Sequence, residues 1–168
     1  KGIKELNLSL QRLLKNQDPD IIIIETSGSC HPMPLIEYFK KQPKVKLKGL
    51  LVLVDSLMLA QDFNYGENLI SQMQKNIIDK KRNTVNLLVE QIMFCSHLIL
   101  TKTDRIEKKK LADIATYVQQ INPLASTHSV LFGKLTLESL FEIEDYNYFN
   151  VAKLIQELSP VLEAEDKS

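Results

Sequence analysis

The chain has 168 residues, a length that fits one domain and buries a sizeable core without disulfides or metal ions. Basic and acidic residues number 21 each, so the net charge is zero and no basic field attracts nucleic acid. The two cysteines, Cys30 and Cys95, form no Cys-x-x-Cys pair, and no apolar run approaches the ~18 residues of a membrane span. These features predict a cytoplasmic protein that binds neither nucleic acid nor membrane.

Helix and strand patterns alternate from the start of the chain. Leucines at helical spacing predict a first helix that ends at Asn16. The all-apolar run Ile21–Ile24 predicts a strand covered on both faces, and a short helix is expected over residues 34–41. The segment Gly49–Asp55 repeats the plan of the first strand, because it is continuously apolar and ends on a carboxylate.

The same alternation continues through the second half. Residues 61–83 are polar and weakly patterned, and the segment 61–90 predicts a surface helix pair. An amphipathic helix over residues 85–92 leads into a third strand, Leu98–Thr101. Another helix, over residues 111–118, leads into a fourth strand at Ser126–Leu131.

This order of elements predicts an α/β fold with a parallel sheet and right-handed crossovers. In such a sheet the ligand site lies beyond the carboxyl ends of the strands. Two more short helices are expected over residues 137–141 and 151–158. Residues 1–160 would then form the domain, and residues 161–168 a disordered tail.

The first chemical motif is Glu25-Thr-Ser-Gly28, which directly follows the first apolar run. A carboxylate at a strand end can hold Mg²⁺ directly or through water, and a glycine N–H can approach a γ-phosphate without a side chain in the way. The alternative is that Glu25 only caps the turn that follows it. The motif alone does not decide between a nucleotide site and a cap.

The second motif is Thr101-Lys-Thr-Asp104, which directly follows the third strand. In guanine-nucleotide proteins an Asn/Thr-Lys-x-Asp segment has this position, and its Asp accepts two hydrogen bonds that adenine cannot offer. A solvated loop is the alternative reading of four such residues. Two motifs about 75 residues apart, each after an apolar strand, favour a guanine-nucleotide site.

Together these segments resemble the later two-thirds of the GTPase domain of the CobW-type metallochaperone family, a group of SIMIBI-class P-loop GTPases. The resemblance covers roughly residues 18–141 and rests on segments in the family's order. The matching segments are Asp20–Gly28 with Pro32 and Pro34, Gly49–Asp55, Leu87–Phe94, Leu98–Asp104, Ile121–Ala125 and Gly133. It implies a parallel-sheet, P-loop NTPase-like domain that uses GTP to control delivery of a metal ion, often zinc and in some branches cobalt, to client proteins.

The resemblance also implies roles for individual residues. Glu25 resembles the acidic residue at the Mg²⁺–water shell, and Gly28 the switch glycine that senses the γ-phosphate. Thr101, Lys102 and Asp104 resemble the segment that gives guanine specificity. Ser126 and Thr127 follow Ala125, where the last nucleotide loop of the family contacts the base.

The chain departs from the family in several places, one of which is Cys95-Ser96, where the family has an Ala-Asp or Ala-Asn pair. No Gly-x-x-x-x-Gly-Lys-Ser/Thr loop and no Cys-x-Cys-Cys motif occurs in the sequence. His31 stands where the family has an Asp, and Cys30 precedes it. We therefore expect a fragment whose phosphate loop and zinc- or cobalt-binding cysteines lie upstream of Lys1, and which alone hydrolyses little or no GTP.

Two alternatives stay open. The chain is also compatible with another SIMIBI GTPase, such as a nickel-insertion accessory protein, and with a non-catalytic α/β module that acts by protein contact. The expected partners are a guanine nucleotide with Mg²⁺ and a metal-receiving client protein, and a homo-oligomer is allowed. Any metal role of Cys30 and His31 is expected to depend on the upstream cysteines, because adjacent Cys and His rarely bind one ion without other ligands.

Overall fold

The computed structural model describes residues 2–81, 83–136, 138, 144–150 and 152–153. Its strands are β1 (Leu51–Asp55), β2 (His97–Thr101) and β3 (Ser126–Ser129). The helices of this part of the chain are α1 (Gly2–Asn16), α2 (Pro32–Lys40), α3 (Ser56–Asp62), α4 (Leu69–Ile78), α5 (Thr84–Phe94) and α6 (Lys108–Ile121). Single 3₁₀ turns occupy Asn64–Gly66 and Thr103–Arg105.

The strands form one parallel sheet in the order β1-β2-β3. Asp55 pairs with Thr101, and His97 pairs with Ser126, so the strands start and end at nearly the same levels. The predicted α/β fold with a parallel sheet is confirmed, as are the strands predicted at the positions of β1, β2 and β3.

The hydrophobic core lies around the middle strand, β2. Leu98 and Leu100 of that strand are buried, and so is Val54 of β1. Helix α5 covers the sheet with Val89 and Ile92, while α6 contributes residues such as Ile114 to the same cluster. Since β2 has neighbours on both edges and helices packed against it, it carries the continuous apolar pattern expected of a central parallel strand.

The strand predicted at Ile21–Ile24 is wrong for this structure. Residues 21–27 have no regular secondary structure, and no strand in the described part of the chain pairs with them. Ile23 is 81% exposed, and Leu53 in the edge strand β1 is 68% exposed. A β-branched run becomes a strand only where a neighbour takes its backbone hydrogen bonds, and propensity alone does not supply that neighbour.

The structure tests the predictions for residues 61–83 and for the C-terminal segments only in part. The polar stretch 61–83 holds α4, whose Asn76 donates to Asn83 and Asn86 beside the start of α5, each at 3.0 Å. The helices predicted at 137–141 and 151–158 lie mostly outside the described residues, and the tail at 161–168 lies wholly outside them. Of the helices that the structure describes, none combines the length and the apolar character needed to cross a bilayer.

The contrast between buried and exposed apolar residues predicts opposite effects on the stability of this chain. Leu100→Ala should lower the free energy of unfolding by about 2–5 kcal/mol, because Leu100 is fully buried and its truncation leaves a cavity. Ile23→Thr should change it by roughly 0.5 kcal/mol or less, because the side chain lies mostly in solvent. Urea unfolding of both variants measures the difference, and a large loss with Ile23→Thr would show that the segment is covered.

Candidate functional site

The carboxyl ends of β1 and β2 are joined by an ion pair. Asp55 ends β1, and its Oδ1 accepts hydrogen bonds from the N–H groups of Leu57 (2.9 Å) and Met58 (3.2 Å), so it caps α3. Its Oδ2 accepts from Lys102 Nζ at 2.5 Å. One carboxylate thus fixes both the start of a helix and the end of a lysine side chain.

Burial acts to raise the pKa of Asp55, but the hydrogen bond from Lys102, the two backbone N–H groups and the lysine charge together lower it below its usual value. Asp55 is therefore held as a carboxylate.

Residues 101–104 alternate between anchoring and projecting side chains. Thr101 Oγ1 donates to the Val54 carbonyl of β1 at 3.2 Å, and Thr103 Oγ1 donates to the Val130 carbonyl after β3 at 3.0 Å. Lys102 and Asp104 between and after them are exposed. Lys102 has a left-handed backbone with φ 52°, which is costly for a residue with a side chain and is typical of functional turns. The two threonines fix the turn, and the two charged residues face outward.

Two carboxylates are available to a ligand. Asp104 and Glu25 are exposed, and neither forms a hydrogen bond or ion pair with any residue that the structure describes. A magnesium ion is bound in proteins by one or two carboxylates together with substrate phosphates and water. Glu25 by itself therefore fits Mg²⁺ only as a neighbour of a nucleotide-bound ion, through water, and cannot hold the ion alone.

The turn that carries Gly28 rests on helix α5. Gln91 Nε2 donates to the carbonyls of Gly28 and Cys30, each at 3.0 Å. The next residue, His31, places Nδ1 3.1 Å from Glu90 Oε2. The Cys30 N–H closes the turn by donating to the Ser27 carbonyl at 3.0 Å.

Gly28 has no packing reason to be glycine within the described chain. A Cβ built at this position meets no atom within 4 Å, and φ is not in the left-handed region. Its N–H donates to no group in the described segments, while its carbonyl is taken by Gln91. Because Gly28 has no side chain and its N–H has no partner in the described segments, a ligand oxygen can approach this N–H closely.

Ser126 and Thr127 are not brought to this edge of the sheet. Ser126 pairs with His97 and Thr127 with Leu98, at the amino end of the strands. Thr127 lies three residues before the level of Thr101, roughly 10 Å away along the strand. Its Oγ1 is buried without a hydrogen-bond partner among the described groups. The residue of this region that meets the Thr101–Asp104 segment is Val130.

The cysteines and histidines of the described chain form no metal-binding group. Within the described residues no group of three or more His, Cys, Asp or Glu side chains is placed to hold a metal ion. Cys30 Sγ lies 3.6 Å from the His31 carbonyl. Cys95 is buried, and burial raises the pKa of its thiol to about 12. His128 stacks on His97 with ring centroids 5.7 Å apart.

The structure thus forms two groups of candidate residues. One contains Asp55 and Thr101–Asp104, and the other contains the Gly28 turn with Glu90 and Gln91. No hydrogen bond or ion pair links the two groups across the segments described here. Sequence reasoning missed the contact made by Gln91, although the polar pair Glu90-Gln91 interrupts the apolar run Leu87–Phe94 and was a signal for it.

Residues 3–129 match the family described as the CobW/HypB/UreG nucleotide-binding domain. That span covers most of the chain and contains both groups of candidate residues. The chain belongs to the CobW/HypB/UreG family. The resemblance drawn from the sequence motifs is confirmed at this level.

Two curated relatives of this CobW-family chain carry the same name, zinc-regulated GTPase metalloprotein activator 1. The one from Dictyostelium discoideum is 27% identical over 141 residues, covering 76% of this chain and 30% of the relative. The one from Schizosaccharomyces pombe is 26% identical over 159 residues, covering 91% of this chain and 33% of the relative. The chain spans about a third of the length of these relatives. No solved structure matches it significantly.

The lowered pKa of Asp55 predicts a pH-dependent contribution to stability. A carboxylate with a folded-state pKa below its unfolded value stabilises above the unfolded pKa, about 3.8, and this stability is lost as the pH falls through the folded pKa. Asp55→Asn keeps a capping side chain but removes the ion pair, so it should cost roughly 0.5–1 kcal/mol at pH 5.5. Urea unfolding at pH 5.5 and pH 3 should show this cost shrinking at the lower pH. An equal cost at both would contradict a titrating pair.

Proposed function

We propose that this CobW-family chain is the later part of a GTP-binding domain whose full-length protein couples GTP hydrolysis to delivery of a metal ion. The observation that carries the proposal is the Thr101–Asp104 turn at the end of the central strand. It presents a carboxylate that has no partner among the described residues, at the carboxyl edge where ligands of open parallel sheets bind.

Asp104 is the base-recognition residue of this proposal. Its carboxylate accepts hydrogen bonds from the ring N–H and the exocyclic amine of guanine, a pairing that adenine does not offer. Thr101 and Thr103 hold the turn by their bonds to Val54 and Val130, so the carboxylate is positioned before the nucleotide arrives. Lys102, held at its Nζ by Asp55, supplies the stem that lies across the purine.

Glu25 and Gly28 serve the phosphate end of the nucleotide. The Gly28 N–H donates to a γ-phosphate oxygen, which its open surroundings allow. Glu25 accepts hydrogen bonds from water bound to the nucleotide's Mg²⁺. When bound, that ion neutralises the charge that develops on the β- and γ-phosphates during hydrolysis. Because no phosphate loop occurs in these 168 residues, this chain alone hydrolyses little or no GTP.

The exposed apolar surface supports a larger domain. Ile21, Ile23 and Leu53 are all more than half exposed, and β1 uses only one of its edges in the described sheet. Sheet edges and apolar runs of this kind are normally paired or covered. The relatives are about three times as long as this chain. We propose that residues outside this sequence cover the exposed apolar surface and supply the phosphate loop.

The cargo of the full-length protein is a divalent ion, zinc or cobalt, held by cysteines outside this sequence and passed to a client protein. The relatives are named for zinc-regulated activation of a metalloprotein, which favours zinc. The family description also includes HypB and UreG, so a nickel-insertion role is the second candidate. Metal analysis of the purified full-length protein separates these candidates.

Replacing Asp104 tests the base contact in the full-length protein. Asp104→Asn removes the charged acceptor, so the affinity for GTP and for GDP should both fall at least tenfold, about 1.4 kcal/mol, and xanthine nucleotides should bind better than before. Fluorescent-nucleotide titration measures all three. Asp62→Asn, an exposed change at the end of α3, is the control and should leave binding unchanged. Unaltered GTP affinity in Asp104→Asn would refute the assigned contact.

Replacing Gly28 tests the phosphate contact. Because a Cβ meets nothing there, Gly28→Ala should leave the unfolding free energy within about 1 kcal/mol of the original. In the full-length protein the methyl group should obstruct the γ-phosphate, so hydrolysis should fall at least tenfold while GDP affinity stays within twofold. Gly2→Ala is the matched control, because its Cβ also meets open space. Normal hydrolysis by Gly28→Ala would remove Gly28 from the site.

A further inference from the structure

The turn at Gly28 obtains much of its support from two adjacent polar residues of α5. Gln91 donates one hydrogen bond to each of two carbonyls, those of Gly28 and Cys30. Glu90 pairs with His31, the next residue along. Two side chains of one helix thus contact three residues within a span of four, although 59 to 63 residues of chain separate the two segments.

The hydrogen bonds from Gln91 constrain the part of the turn that matters for a ligand. Its amide group binds the Gly28 carbonyl, which fixes the plane of the peptide after Gly28. The Cys30 N–H to Ser27 carbonyl bond fixes the peptide groups on either side. With both restraints present, the Gly28 N–H is held in one direction and remains unbonded to the described residues. Glycine without such restraints would sample many orientations.

Helix α5 is itself a fixed platform. At its start, Asn83 Oδ1 accepts from the N–H groups of Val85 (3.0 Å) and Asn86 (3.4 Å). At its end, buried Asn122 donates to the carbonyls of Ile92 in the last turn and of Cys95 just after it, each at 2.9 Å. A side chain carried by an element anchored at both ends holds a ligand-binding turn more accurately than one carried by a loop.

We propose that Gln91 is a positioning residue that aims the Gly28 N–H at the γ-phosphate, so that it controls discrimination between GTP and GDP without touching either nucleotide. This inference rests on the proposed function, in which Gly28 contacts the γ-phosphate. The pair of His31 with Glu90 is a second contact that holds the same turn. His31 stands at the position where the family resemblance predicts an Asp. Gln91 therefore acts on the phosphate end alone, and the guanine contact of Asp104 does not depend on it.

The test is the ratio of GTP to GDP affinity in the full-length protein, measured with a non-hydrolysable GTP analogue. Gln91→Glu keeps the size of the side chain but turns an amide donor into a carboxylate facing two carbonyl oxygens. The ratio should fall about tenfold and hydrolysis should fall with it, while GDP affinity stays within twofold. Gln119→Glu, on the exposed surface of α6, is the matched control and should change none of these values.

Two outcomes would overturn the role of Gln91. In the first, the affinity ratio is unchanged. In the second, GTP and GDP affinity fall in parallel, which would show that Gln91 supports the domain as a whole. If Gln91→Glu does not fold, Gln91→Asn, which keeps the amide and shortens its reach by one methylene, is measured with the same expectation. Gly28→Ala separates the two proposals. Normal hydrolysis by Gly28→Ala refutes the γ-phosphate contact itself, whereas reduced hydrolysis there together with an unchanged affinity ratio in Gln91→Glu refutes only the positioning role of Gln91.

Discussion

Parallel pairing of β2 with both of its neighbours decides where the polar groups of this chain collect. Because Asp55 pairs with Thr101, the two strand ends lie side by side and Lys102 reaches Asp55. Because β3 pairs on the other edge, Val130 comes within reach of Thr103. The pairing register of β2 therefore produces both anchors of the Thr101–Asp104 turn. A slip of β2 by one residue would turn the side chains of that strand to the opposite face of the sheet.

The two groups of candidate residues depend on different parts of the fold. The Thr101–Asp104 turn is held by the sheet itself, through hydrogen bonds to strand-end carbonyls. The Gly28 turn is held by a helix that packs on the sheet, through Gln91 and Glu90. In the proposed function, the base contact of Asp104 and the phosphate contact of Gly28 therefore depend on different parts of the fold.

Much of this arrangement could be predicted from the sequence, for reasons that are local. The apolar strands at Leu51–Asp55 and His97–Thr101 are recognisable because a central parallel strand is buried on both faces. The Ile21–Ile24 run has the same pattern and forms no strand in the described structure. Pairing is a property of two segments, so one apolar segment cannot reveal whether its neighbour is present.

The sequence by itself determined the α/β order, the parallel sheet and the identity of the Thr101–Asp104 motif, because these follow from periodicity and from residue types close together in the chain. Only the tertiary structure decided which partners these residues meet. Asp55 caps a helix and holds Lys102, Ser126 and Thr127 lie at the far end of the sheet, and Gln91 reaches the Gly28 turn. Such contacts join residues tens of positions apart, and they are fixed by strand register and helix packing, which no local pattern encodes.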